Sequence, residues 1–307
     1  MPDDLNIQYF HHHEIDKTKW DRCMSEARNG LIYGYSFYLD RMSKHWDALV
    51  VNDYQTIMPL TWNKKFGIHY LYQPAFTANL GVFGNNLSEK MISSFIQSIP
   101  SKFRLIEISL NAENNIDSSF QFMIARTNYV LPLHRDYPAL FNNFRENHRR
   151  NIQKAQQAGC VVKKDISVQE VIALNKIQMK NKTSITRNDY ANFENLFFHL
   201  SGQMNAITYS VVDSHDKLLA SCVFFFSNKK AYYILVGNHP EGRSTGASHA
   251  LIDAFIKDHA GRDITLDFEG SDIESLGQFY NGFGAIKETY PAIRWSRLPW
   301  WVKWIKH

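Results

Sequence analysis

The sequence is poor in cysteine and has no long apolar run. Only Cys23, Cys160 and Cys222 occur among its 307 residues, too few and too scattered to predict a disulfide framework or a zinc site. Apolar runs are short, as at residues 222–226, whereas a membrane-spanning helix needs about 20 apolar residues. The N-terminal residues are acidic and lack the apolar segment of a secretory signal. We therefore expect a soluble, reduced, cytoplasmic protein without a metal.

A strong excess of one charge is also absent. The 34 Lys and Arg residues against 30 Asp and Glu residues give a net charge of +4. Because dedicated nucleic-acid binders usually carry a larger basic surplus, nucleic acid is not the expected partner, and a small anionic substrate remains compatible. The hydrophobic fraction of 44% excludes a disordered chain. At roughly 150 residues per domain, the length predicts two domains.

The same order of predicted elements occurs twice. The first half has strands at residues 46–51, 55–62 and 68–72, a helix after Ser88, and a strand at 104–110. The second half has strands at residues 206–212, 218–227 and 231–237, a helix from Ala247, and a strand at 264–268. Asn-Lys-Lys occurs at 63–65 and again at 228–230, where it predicts a turn. This repetition predicts an α+β protein of two similar domains, residues 1–160 and 161–307.

A basic helix is predicted at the end of the first half. Phe144, His148, Ile152 and Ala155 form its apolar stripe, and Gly159 ends it. Its basic face consists of Arg145, Arg149, Arg150 and Lys154. Such a face is either solvated or a site for phosphate groups, which arginine binds with paired hydrogen bonds.

The predicted strand at 231–237 is followed by a loop, residues 238–245, and then a helix. The residues at this junction are Arg243, Ser244, Thr245, Gly246, Ala247 and Ser248. Small residues allow a ligand to approach the backbone, and the first N–H groups of a helix attract anions. The junction is therefore either a pyrophosphate site or an ordinary helix start. The corresponding loop of the first half, residues 73–87, contains no Lys or Arg, so any anionic donor is expected in the second half.

These residues resemble a known family. Arg243-x-x-Gly246-x-Ser248 resembles the coenzyme A loop of the GNAT acyltransferase superfamily, whose usual pattern is Arg/Gln-x-x-Gly-x-Gly/Ala, and Ser248 departs from it. Residues 147–159 and 266–284, followed by Tyr290-Pro291, resemble the FemABX-like aminoacyltransferases, which modify peptidoglycan and lipid-linked precursors. The resemblance implies two tandem GNAT-like domains, each with a mixed, mostly antiparallel sheet flanked by helices, and only the second holding an acyl donor.

The resemblance also implies roles for individual residues in transfer of an acyl group to an amine. Backbone N–H groups near Val236 and Gly237 are expected to bind the donor carbonyl. Asp267 and Glu269, which alternate along one predicted strand, are candidate bases or else acids at a strand end. Tyr280 resembles the tyrosine that protonates the leaving thiolate in many GNAT enzymes, with a core aromatic as the alternative.

Three functions remain open from the sequence. The preferred one is an N-acyltransferase that uses acetyl-CoA or a longer acyl-CoA, with a small, nucleotide-linked or lipid-linked amine as acceptor. The second is an aminoacyl-tRNA-dependent transferase of the FemABX type. It is disfavoured because those enzymes usually carry lysine where Tyr280 stands, because the long coiled-coil arm of some members is absent, and because the net charge is small. The third is a binding protein that has kept the fold without the chemistry.

Overall fold

The protein is described from a computed structural model that covers residues 6–116, 120–180, 184–270 and 272–298. The chain forms two compact units: residues 1–126 with 289–307, and residues 127–288. The predicted boundary between residues 160 and 161 was based on the repeat in the sequence, and it stays a prediction.

The first unit pairs its strands in the order β1-β2-β3-β4-β6 and then the second part of β13, with β5 beside β3. Its elements are β1 (Ile7–Phe10), α1 (Lys17–Glu26), α2 (Ser36–Met42), β2 (His45–Val51), β3 (Thr56–Lys65), β4 (Ile68–Leu71), β5 (Phe83–Gly84), α3 (Glu89–Gln97), β6 (Phe103–Ser109) and, shared with the second unit, β7 (Met123–Pro132) and β13 (Ile286–Ser296). Ser88 caps α3 as predicted, because its Oγ accepts a hydrogen bond from the Met91 N–H at 3.1 Å.

The second unit pairs its strands in the order β7-β12-β11-β10-β9-β8. Its elements are α4 (Tyr137–Asn142), α5 (Glu146–Gln157), β8 (Val161–Lys164), α6 (Val168–Met179), α7 (Arg187–Ser201), β9 (Ala206–Val212), β10 (Leu218–Ser227), β11 (Lys230–Asn238), α8 (Pro240–Thr245), α9 (Ala247–His259), β12 (Thr265–Asp267) and α10 (Glu274–Asn281). Its core combines aliphatic side chains with aromatic ones such as Phe224, Phe255 and Tyr233.

The strand pairing confirms the predicted repetition. β1 to β4 form consecutive antiparallel pairs, and β4 then pairs in parallel with β6 after the helix α3. β8 to β11 repeat this arrangement, and β11 pairs in parallel with β12 after α9. One further strand follows each set of strands in the chain and pairs with the other set. β7, which follows β6, pairs with β12, and β13, which follows β12, pairs with β6. The predicted α+β fold of two mixed, mostly antiparallel sheets is confirmed.

Two local predictions are wrong. Residues 63–65 do not form a turn but complete β3, and the chain reverses at Phe66 and Gly67. The second Asn-Lys-Lys does turn, with positive φ at Asn228 and Lys229, so the two tripeptides are not structurally equivalent. The predicted loop at 238–245 is largely helical, because Pro240 fixes a helical φ at the first position of α8.

Candidate active site

The strands β11 and β12 separate partway along their length. They pair only from Lys230 and Thr265 to Tyr232 and Asp267, where β12 ends, while β11 continues to Asn238. A bulge lies in β11 just beyond this point, between Tyr233 and Leu235. Within the described part of the chain, no strand pairs with this side of β11 after Tyr232. We call residues 233–238 on this side the open edge.

Side chains of α6 bind backbone groups of the open edge. Asn175 Nδ2 donates to the Val236 carbonyl at 2.6 Å, and the Asn238 N–H donates to Gln178 Oε1, also at 2.6 Å. Tyr190 of α7 fixes Asn175 by donating its hydroxyl proton to Asn175 Oδ1 at 2.7 Å. These residues were not predicted from the sequence, although a polar residue on the buried face of α6, as at Asn175, is a readable signal.

The backbone N–H groups of Val236 and Gly237, both predicted to bind the donor carbonyl, point in opposite directions. The Val236 carbonyl shows which is which, because it faces Asn175 and not β10. In an antiparallel pair, the N–H and C=O of one residue point the same way, and its neighbours point the other way. The Val236 N–H therefore faces the open edge, whereas the Gly237 N–H faces β10. Gly237 has a packing role instead, since a Cβ there would lie 2.8 Å from the Asn175 backbone nitrogen.

The predicted pyrophosphate junction is the corner between α8 and α9. Gly246 has a φ of 81° and donates its N–H to the Gly242 carbonyl, which ends α8. The His249 N–H donates to the Gly246 carbonyl at 3.0 Å. Helix geometry leaves the N–H groups of Ala247 and Ser248 for an anion, and Arg243 is exposed nearby along the chain.

Packing accounts for the small residue at Gly246. A Cβ there would lie 2.3 Å from the Asn151 carbonyl oxygen of α5, so this side of the corner contacts protein. The Ser248 hydroxyl donates to Asn238 Oδ1 at 2.6 Å and ties α9 to the end of β11. Ser244 and Thr245 hydroxyls bond carbonyls of α8 itself. Fewer backbone groups are therefore available to a pyrophosphate than an open loop would offer.

A buried polar cluster surrounds the end of β12. The Asp267 carboxylate accepts hydrogen bonds from Asn128 Nδ2 at 2.9 Å and from the Glu269 N–H at 3.0 Å, and Lys230 Nζ lies 3.4 Å from its Oδ2. Burial by itself lowers the pKa of Lys230, but the nearby carboxylates of Asp267, Glu288 and Glu269 outweigh it and raise this pKa. Lys230 therefore remains charged, and Asp267 is a firmly held carboxylate.

Glu269 does not lie on the strand. β12 ends at Asp267, and Glu269 has a φ of 67°, so strand alternation does not relate the two carboxylates and that expectation is wrong. A left-handed glutamate is an uncommon, strained conformation, and such strain concentrates at functional sites. Glu269 is half-buried, and its charge acts on both Lys230 and Tyr280.

Tyr280 lies in the aromatic core beside this cluster. It is 5% exposed, and its ring stacks on Phe268 with centroids 4.4 Å apart. Burial, and then the charge of Glu269, raise the pKa of Tyr280 above its ordinary value. The phenol is thus a protonated group near a carboxylate, which is what a proton donor to a leaving group requires.

The four basic residues of the predicted phosphate face have different surroundings. Arg145 occupies the N-cap position of α5. Its N–H donates to the Gly282 carbonyl at 2.8 Å and its guanidinium donates to Asn281 Oδ1, which ties it to the end of α10. Arg149 is half-buried, while Arg150 and Lys154 are exposed. Among the described residues, none forms an ion pair with these last three. Only they are available to an anionic ligand.

A pair of histidines joins α5 to α9. The rings of His148 and His249 meet edge to face with centroids 4.8 Å apart, and His148 Nε2 contacts the Phe279 carbonyl at 2.8 Å. Burial, with the neighbouring His148, lowers the pKa of His249 to about 4, and burial also lowers the pKa of His148. His148 lies on the buried stripe predicted for this helix, whereas its contact with His249 was not predicted.

Neither a metal centre nor a membrane span is found among the described residues. In the described ranges, no three His, Cys, Asp or Glu side chains are grouped so as to hold a metal ion. None of the helices described is both long enough and apolar enough to cross a bilayer.

Comparison with known proteins supports an acyltransferase. A family model described as an acetyltransferase (GNAT) domain matches residues 142–274, which include the open edge, the α8–α9 corner and, from the polar cluster, Lys230, Asp267 and Glu269. No curated protein matches the sequence.

Solved structures show the same fold along nearly the whole chain. FemX superposes with a TM-score of 0.65 at 14% identity, covering 93% of this chain and 97% of its own. A conserved protein of unknown function from Bacteroides thetaiotaomicron VPI-5482 gives 0.58 at 12% identity, covering 95% and 100%. L-PGS from Bacillus licheniformis gives 0.52 at 10% identity, covering 94% and 95%. The resemblance is confirmed in fold: the chain has the fold of FemX along nearly its whole length, and residues 142–274 match a GNAT acetyltransferase domain, which supports an acyltransferase.

Proposed function

We propose that this protein is an N-acyltransferase that moves an acyl group from acyl-CoA to an amine at the open edge of β11. The observation that carries the proposal is the separation of β11 from β12 after Tyr232 and Asp267. It exposes the Val236 N–H on this side of β11. Glu269 lies two residues after the end of β12, and Tyr280 lies in α10, stacked on Phe268. A donor, a base and an acid are needed together, and this one region supplies candidates for all three.

In the proposed reaction, the acceptor nitrogen attacks the thioester carbonyl carbon. The carbon–oxygen double bond becomes an oxyanion, which the Val236 N–H stabilises. Glu269 removes a proton from the attacking nitrogen. The carbon–sulfur bond then breaks, and Tyr280 protonates the departing thiolate. Asp267 and Lys230 hold the backbone at Glu269 and act as positioning residues.

The donor's phosphates are proposed to bind at the α9 N-terminus. The Ala247 and Ser248 N–H groups lie at the positive end of a 13-residue helix, which favours an anion. Arg243 adds charge. The acceptor is proposed to carry a phosphate, as a nucleotide-linked or lipid-linked amine does, and to meet Arg149, Arg150 and Lys154. A cytoplasmic location is part of this proposal.

Three contacts favour a second candidate, an aminoacyl-tRNA-dependent transferase. The Val236 carbonyl and the Asn238 N–H, which an extended acyl-CoA arm would pair with, are bonded to Asn175 and Gln178. Gly246 packs on α5, which narrows the phosphate site. A donor that presents only its ester to the open edge would leave these contacts intact.

Calorimetry and single-turnover transfer assays separate the candidates. We expect acetyl-CoA or a longer acyl-CoA to bind, and its acyl group to reach an amine. Failure of every acyl-CoA tested, together with salt-sensitive binding of charged tRNA, would replace the first candidate by the second. Binding of either donor without transfer to any amine would favour a binding protein.

A further inference from the structure

An exposed aromatic residue lies at the tip of the β3–β4 hairpin. Lys65 pairs with Ile68, so Phe66 and Gly67 alone form the loop, and Phe66 is 78% exposed. This hairpin belongs to the first unit and consists of residues that the proposed chemistry does not use.

The backbone at this tip does not favour phenylalanine. Phe66 has a φ of 50° and Gly67 a φ of 80°, as in the two-residue turn that normally takes Asn-Gly. Positive φ is unfavourable for a bulky side chain, and exposure of its ring to water is unfavourable as well. Asparagine would avoid both costs, so folding does not explain the phenylalanine.

The charges around the tip have one sign. Lys64 and Lys65 are both exposed, and Lys65 Nζ lies 5.5 Å from the centre of the Phe66 ring. The hairpin, residues 56–71, contains no Asp or Glu. In the described part of the chain, neither lysine forms an ion pair. The tip is therefore apolar at its end and positively charged behind it.

We propose that the β3–β4 hairpin tip inserts Phe66 into the surface of an anionic lipid bilayer while Lys64 and Lys65 contact the headgroups. An aromatic ring beside basic residues matches the interface between hydrocarbon and anionic headgroups. A two-residue tip is convex and offers far less area than the roughly 800 Å² that each partner buries in a standard protein interface. A bilayer accepts a protruding tip of any shape. Binding through one ring and two lysines is weak and reversible.

Co-sedimentation with lipid vesicles tests the proposal. Wild type is expected to bind vesicles of phosphatidylglycerol and phosphatidylcholine at 1:3, and to bind less as salt rises, because salt screens the lysines. Phe66→Asn should weaken the partition by about tenfold through the lost ring, while the melting temperature stays equal or rises, because Asn-Gly suits the turn. Lys64→Ser with Lys65→Ser should also weaken it about tenfold.

Met204→Asn is the matched control. Met204 also has positive φ, at 58°, and is 91% exposed, so this change removes an exposed apolar side chain from an equivalent backbone elsewhere. Vesicle binding should not change. The proposal is overturned if wild type does not sediment with anionic vesicles, or if Phe66→Asn binds them as wild type does. Phe66-dependent binding of a single-stranded oligonucleotide without vesicle binding would assign the tip to nucleic acid instead.

Discussion

Lys230 Nζ lies 3.4 Å from Asp267 Oδ2 and so links the first residue of β11 to the last residue of β12, after which the two strands separate. The side chains are 28% and 8% exposed, respectively, so the pair is largely withdrawn from water. Loss of one member would leave the other as a partly buried charge, which is destabilising. The pair thus holds the end of β12 beside β11.

Lys230→Met should lower the free energy of unfolding by about 1–3 kcal/mol, because Asp267 loses its counter-charge. Lys229→Met is the control, since its ion pair with Asp263 is 77% and 81% exposed and should contribute at most about 1 kcal/mol. Urea denaturation measures both. Equal losses in the two variants would contradict a special role for the Lys230–Asp267 pair.

Glu269→Gln and Tyr280→Phe should each reduce kcat by about 100-fold or more, while donor affinity changes little, because each removes one proton-transfer group. Rapid-quench turnover and calorimetry together separate these effects. Phe279→Leu, which changes a neighbouring aromatic residue, should retain most of the turnover.

Since burial and Glu269 raise the pKa of Tyr280, loss of the Tyr280 proton should not limit activity below about pH 10. A decline near pH 8 that disappears in Tyr280→Phe would argue against this role.

The tandem fold was predictable because its signals are local. Strand alternation, the Ser88 cap and the apolar spacing of α5 each lie within one element, and the structure contains these elements. The Lys230–Asp267 pair was not predictable, because its members are 37 residues apart and because the sequence placed Lys230 in a predicted turn.

The surroundings of Gly246 differ from those that its motif predicts. Its place in the motif indicated close approach of a phosphate, whereas the structure places the Asn151 carbonyl against it. A contact between α5 and α9 leaves no signal in the local sequence. Similarly, Glu269 alternates with Asp267 in the sequence, yet the strand ends between them.

Ser248→Asp should weaken acyl-CoA binding by about tenfold or more, because a carboxylate at the helix start repels the phosphates. It should not weaken the helix, since acidic residues are favourable in the first turn. Ser248→Ala restores the small residue of the family pattern and should bind acyl-CoA at least as well as wild type. Calorimetry checks both variants. Unchanged affinity in Ser248→Asp would exclude this corner as the donor site.

Arg149→Ala with Arg150→Ala should raise KM for a phosphorylated acceptor by about tenfold and leave donor affinity unchanged, because these side chains have no ion-pair partner among the described residues. Arg145→Ala should instead lower the stability of the protein, because Arg145 ties α5 to Asn281. Steady-state kinetics and thermal denaturation distinguish the two effects. An unaltered acceptor KM in the double variant would refute the phosphate role.

The unfolding free energy should fall as pH drops from about 6.5 towards 4, partly because of His249. In the unfolded chain, histidine binds a proton near pH 6.5, whereas the pKa of folded His249 is lowered to about 4. The unfolded state therefore holds more protons between these values, so acid favours unfolding, and the contribution is constant above pH 6.5. The helix N-terminus beside His249 also opposes its protonation.

His249→Phe keeps a ring against His148 and Phe279 and should remove about 1–3 kcal/mol of this pH dependence. His215→Phe, at an exposed position, is the control and should leave the slope unchanged. Urea denaturation at pH 7.5, 6 and 5 measures the slope, and an identical slope in wild type and His249→Phe would show that the buried histidine pair does not cause it.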